Sequence, residues 1–151
     1  MAIASVGEVL VMAGELEGRL QAFYAEVRDK TADNGTRLLT YHLRRHRRHL
    51  QQALEGFTKE ESEHIRQTGL EHDVESREGK EFHVPDTPPD EIAGEQLLHA
   101  AIEHSETLVA LYRKVLEQAL TPEVDALLDT LVDLEEKDVI VLKKMAAMHY
   151  F

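Results

Sequence analysis

Residues 39–57 read LTYHLRRHRRHLQQALEGF, and the placing of this stretch decides the fold. Its apolar residues Leu39, Leu43, Leu50, Ala53 and Phe57 recur at three-, four- and seven-residue steps, the period of one helix face rather than of a strand. At about 100° per residue, His42, His46 and His49 fall within a ~60° arc beside that stripe. Arg44, Arg45, Arg47 and Arg48 point away from the centre of the arc, toward solvent. The histidines therefore lie in or next to a buried line, where a polar side chain needs a partner. Those partners have to come from other helices.

Upstream, Ser5 and Glu8 match a capping box, and a helix is expected over about residues 4–30. Its core stripe is Ile3, Val6, Leu10, Ala13, Glu17, Leu20, Tyr24 and Val27, with Glu17 standing where the pattern calls for an apolar residue. Residues 31–35, TADNG, make a turn, and the helix carrying the histidines is expected over about 34–66. From about 68 to 90 the periodicity fails and Gly69, Gly79, Pro85, Pro88 and Pro89 accumulate, as in a crossover connection within one domain. His64, His72 and His83 belong to this polar region and are read as surface residues. A third helix over about 91–119 has the stripe Leu98, Ala101, Ser105, Leu108, Tyr112, Val115 and Ala119. A fourth, over about 122–149, opens on Thr121-Pro122-Glu123, an N-cap followed by proline at the first helical position. Its stripe is Val124, Leu128, Leu131, Glu135, Asp138, Leu142 and Met145, again interrupted by carboxylates.

The 151 residues suit one domain with a substantial core. A formal charge of −12 argues against non-specific nucleic-acid binding, and the basic run at 44–48 reads as a solvated helix face. No apolar run approaches 18 residues, so no membrane span is expected. Without cysteine there can be no disulfide, Cys-ligated zinc or iron–sulfur cluster. The N-terminus lacks the basic start of a signal peptide, and a cytoplasmic location is the default.

The chain also repeats itself. A shift of 88 residues pairs Leu10 with Leu98, Ala13 with Ala101, Leu20 with Leu108, Tyr24 with Tyr112, and Glu17 with Ser105. A shift of 89 pairs Leu39 with Leu128, Leu43 with Val132, His46 with Glu135 and His49 with Asp138. The polar interruptions of all four helices thus fall at matching levels, a coincidence that amphipathicity alone does not require. On these residues the chain resembles the ferritin-like superfamily, and within it small rubrerythrin-like proteins without a rubredoxin module. The resemblance implies an all-α four-helix bundle of two antiparallel hairpins joined by a long crossover. In that family one helix of each hairpin supplies a Glu, and the other a Glu-x-x-His pair, to two metal ions in the bundle core. Glu17, His49 and Glu135 match that pattern; His46 and Asp138 are altered but able to coordinate, and Ser105 replaces a Glu.

The expected site is accordingly Glu17, His46, His49, Glu135 and Asp138, holding a divalent metal. Imidazoles with carboxylates suit iron, manganese or zinc better than magnesium or calcium. For iron the resemblance implies oxidation of Fe(II) by oxygen or peroxide. Against this stands a vestigial, metal-free bundle in which the acids hold protonated histidines. A haemerythrin-like sensor is a further alternative, weakened because His42-x-x-x-His46 is the one His-x-x-x-His in the chain. His42 reads as a packing or supporting residue. His104 and Glu106 flank Ser105 and could reach inward if the third helix were rotated by ~100°, which would pull Leu108 and Tyr112 off the stripe, so both rank behind the five residues of the expected site. The residues name no substrate and no redox partner. A homodimer is expected, because Leu127, Leu134, Val141 and Met148 recur every seven residues beside the core line, with Ile102, Val109 and Leu116 on the third helix.

Overall fold

The computed structural model describes residues 2–44, 49–75 and 84–148. The chain is mainly helical, as the periodicity predicts, with one short antiparallel strand pair among the described residues. In chain order the elements are β1 (Ala2–Ser5), α1 (Val6–Lys30), α2 (Asn34–Arg44), α3 (His49–Leu54), α4 (Lys59–Gln67), β2 (Gly69–Glu75), α5 (Gly94–Leu116) and α6 (Pro122–Ala147). Helix α5 packs most extensively on α6; α1 packs on α2, α4 and α5, and α3 on α6.

Local chemistry sets most of the helix ends. The Ser5 hydroxyl caps the helix by accepting from the Glu8 amide at 3.2 Å, whereas the Glu8 carboxylate accepts from the Ala4 amide at 2.8 Å rather than from Ser5, so half of the expected box forms. Thr121 caps α6 by accepting from the Val124 amide at 3.1 Å, with Pro122 in the first turn. At the α1–α2 turn Asp33 accepts from the Thr36 amide and hydroxyl, which lowers its pKa. Arg37 reaches back to the carbonyls of Arg28 and Thr31, satisfying acceptors that the end of α1 leaves open.

Three expectations need correction. The helix expected across 34–66 is interrupted at residues 55–58. Thr58 and Glu61 form a reciprocal capping box that starts α4 afresh, just after Gly56. Ile3 belongs not to the stripe of α1 but to β1, which pairs with β2 inside the expected crossover through Ile3↔Val74 and Ser5↔Gly69. Gln118 clamps the same strand from the α5–α6 connection: its amide oxygen accepts from the Glu71 and His72 amides, and its NH₂ donates to the His72 carbonyl. Finally, α5 stops at Leu116, and Ala119, expected on the stripe, is exposed with φ 47°.

Burial otherwise follows the stripes. Leu10, Leu20, Tyr24, Leu98, Leu108, Leu128 and Leu131 are all almost fully buried. The core falls into two apolar clusters. One holds Leu10, Ala13 and Leu16 of α1 with Leu108, Tyr112, Leu128 and Val132; the other holds Leu20, Tyr24, Leu39, Leu43, Leu98, Ala101 and Leu142. Along α1, α5 and α6 the boundary between them falls at the polar interruptions: between Leu16 and Leu20, between Ala101 and Leu108, and between Val132 and Leu142. Among the described residues no helix is long and apolar enough to cross a membrane.

Candidate metal centre

The layer between the two clusters is where the polar residues of the stripes meet. From α3, His49 reaches across to α6 and is almost wholly buried. Its Nδ1 lies 2.9 Å from Glu135 Oε1 and its Nε2 lies 3.1 Å from Asp138 Oδ2. One ring thus spans two carboxylates that the i, i+3 spacing of α6 sets side by side. The side chains of His49, Glu135 and Asp138 are 11, 5 and 17% exposed, so water competes little for these contacts.

Electrostatics favour a proton on this ring. Burial works against the charged imidazole, but the hydrogen bonds to Asp138 and Glu135 and the charges of both outweigh it. The pKa of His49 is pushed up to about 10. A doubly protonated ring can donate to both carboxylates at once, whereas a neutral ring has one donor. Tyr112, on α5, feels the same layer. Its phenol is raised well above the ordinary value by burial and then by the charges of Glu135 and Glu17. Glu17 and Glu135 therefore act on one hydroxyl from different helices.

A cavity of about 20 Å³ opens in the layer, room for about one water or ion. Glu17, Ser105, Glu135 and Asp138 line it, with His104 beside Ser105 and Leu20, Leu43 and Leu142 from the apolar side. Glu17 and Ser105, which the internal repeat sets at equivalent positions, both line this cavity.

Of the five expected site residues, His49, Glu135 and Asp138 form a compact trio, with one ligand atom from each lying within 4.8 Å of the others. Metal–nitrogen and metal–oxygen bonds of about 2.0–2.2 Å place the ligand atoms of one ion roughly 3–4 Å apart, so this trio could hold a metal ion. Glu17 shares the cavity with Glu135 and Asp138, while His49 contacts those two carboxylates and is not among the residues that line it. His46 lies outside the described residues. His64 and His72 are exposed, as expected, and so is Glu106.

His104 is the residue that sequence reasoning missed. It is 4% exposed and lines the cavity while Leu108 and Tyr112 stay buried, so no rotation of α5 is needed to bring it inward. The buried face of α5 is simply wide: Leu97, Ala100, His104, Leu108, Leu111 and Val115 form a second stripe beside the first. That stripe, at three- and four-residue steps, was visible in the sequence and would have found it. Compared with known proteins, the chain matches no family model, no curated protein and no solved structure.

Proposed function

We propose that this chain is a metal-binding protein with a ferritin-like, rubrerythrin-like four-helix arrangement, whose interior layer takes up iron or another divalent transition metal. In this reading α1 with α2–α4, and α5 with α6, are the two hairpins, and residues 68–90 connect them. The observation that carries it is the buried trio of His49, Glu135 and Asp138, with Glu17 facing the cavity that the two carboxylates of the trio line. Among the described residues this layer gathers the carboxylates of Glu17, Glu135 and Asp138, whose negative charge a divalent cation can offset at close range. The nitrogen ligand disfavours magnesium and calcium.

The roles of the residues follow from the contacts. With an ion on one nitrogen of His49, the other N–H still donates to a carboxylate, which orients the ring and raises its basicity. Glu17 and Asp138 supply further oxygen ligands. If the bound metal is iron, the chemistry it supplies is oxidation of Fe(II) by oxygen or peroxide. The two apolar clusters flank the layer on either side.

One observation favours a second reading, a metal-free structural network: each nitrogen of His49 already has one carboxylate. The two readings differ in the effect of metal. Thermal unfolding at pH 7.5 with zinc, manganese or iron(II), each against chelator, should show a metal-dependent rise in Tm. Glu135→Ala should abolish that rise and His42→Ala should keep most of it. A Tm identical with metal and with chelator would leave the structural network as the function of the layer.

We also propose a homodimer, on a narrower surface than the heptad pattern implies. Leu127 and Val109 are buried within the chain, whereas Val141 and Met148 are 41 and 66% exposed, with Ile140 beside them at 56%. Sedimentation at micromolar concentration, showing monomer alone, would remove this element.

A further inference from the structure

Helix α5 carries a buried imidazole that the proposed metal site does not use. Ser105, the residue at the level of Glu17, offers only a neutral hydroxyl, a poor ligand for a transition metal. His104, its neighbour, is just as buried and stands on the wall of the same cavity as Glu17, Glu135 and Asp138. An imidazole suits iron, zinc, copper and nickel. An imidazole on the wall of a cavity edged by three carboxylates is placed to add a nitrogen to a cation held there. The cavity also has the right size, about 20 Å³, for one ion or the water it replaces.

We infer that His104 is a metal ligand, so that α5 contributes a nitrogen rather than the Ser105 hydroxyl. The inference rests on the metal-binding reading above. The compact trio of ligand atoms does not include His104, so an ion held by both sides draws the imidazole and the trio together across the cavity. The resulting site has one imidazole on each side, His49 from α3 and His104 from α5, with carboxylates from α1 and α6 between them. Such a mixed set should select zinc, cobalt(II) or iron(II) over magnesium and calcium.

The test is calorimetric titration of the full chain with zinc, together with the visible absorption of the cobalt(II) complex, for wild type, His104→Gln and Ser105→Ala. His104→Gln should weaken zinc binding about tenfold or more and change the cobalt band, because one nitrogen leaves the coordination sphere. Ser105→Ala should alter neither. If wild type binds zinc and His104→Gln binds it equally well with the same cobalt spectrum, His104 is a packing residue and the inference fails, while the metal reading stands. If wild type binds neither zinc nor cobalt, the metal reading fails and takes this inference with it. Should His104→Gln not fold, the structure of zinc-loaded wild type decides by anomalous scattering. A zinc peak about 2.0–2.1 Å from a His104 nitrogen supports the assignment, and a peak beyond bonding reach of that ring overturns it.

Discussion

Raising the pH of the metal-free protein from 6.5 to 9 should lower its stability, and the slope should belong to His49. In the folded chain its imidazole is pushed up to about 10 from 6.5. Burial opposes the charged form, and the hydrogen bonds and charges of Asp138 and Glu135 more than offset it. Unfolded, the ring titrates near its ordinary value, so between the two values the folded chain holds one more proton than the unfolded chain. Stability from this group is then fully present below about 6.5 and is lost as the pH rises toward 10. At about 1.4 kcal/mol per unit, the roughly 2.5 units between pH 6.5 and 9 set a ceiling of about 3.5 kcal/mol. For a domain of this size that is a fall in Tm of about 7–14 °C. The assay is thermal unfolding followed by circular dichroism, with chelator present, for wild type and His49→Gln. The variant should start from a lower Tm at pH 6.5, since it leaves two buried carboxylates without a cation, and should lose most of the slope. Superimposable slopes for the two proteins would refute the reasoning. Saturating zinc should reverse the trend, because metal and proton compete for the ring, so stabilisation by metal grows as the pH rises.

Other perturbations test how the layer is framed. A Cβ on Gly7 would meet the Arg66 carbonyl oxygen at 2.6 Å, where α1 starts against the end of α4. Gly7→Ala should therefore cost about 1–3 kcal/mol in urea unfolding. Ala119 holds φ 47°, a left-handed conformation that glycine adopts freely, so Ala119→Gly should raise stability by about 0.5–1 kcal/mol, read from Tm. Gln118→Ala removes the clamp on β2, and hydrogen exchange at the Glu71 and His72 amides should speed up while the amides of α5 and α6 keep their protection.

Much of the helical scaffold was legible because its signals are local and periodic. Ser5 with Glu8 and Thr121 with Pro122 start α1 and α6 where the residues say they should. Within α1 and α6 the apolar residues of the stripes are buried almost residue for residue, with Met145 half-buried. The interruption at 55–58 was equally local, since Gly56, Thr58 and Glu61 spell a stop and a new start. It was overridden because the apolar spacing continues through it to Phe57. The β1–β2 pair was not legible: β1 is four residues long, too short to show an alternation, and its partner lies more than sixty residues away.

Residue order by itself determined that this chain is chiefly helical and that Glu17, Ser105, Glu135 and Asp138 interrupt apolar stripes at matching levels. Both properties follow from the helix period, which needs no knowledge of neighbours. Tertiary structure alone decided which polar group answers which. That His49 lies between Glu135 and Asp138 depends on α3 packing against α6, a contact between segments 86 residues apart. That His104 faces the cavity depends on how wide a face of α5 its neighbours cover, and a helix surrounded on more than one side buries more than one stripe. Periodicity states which residues share a face; only packing states what that face meets.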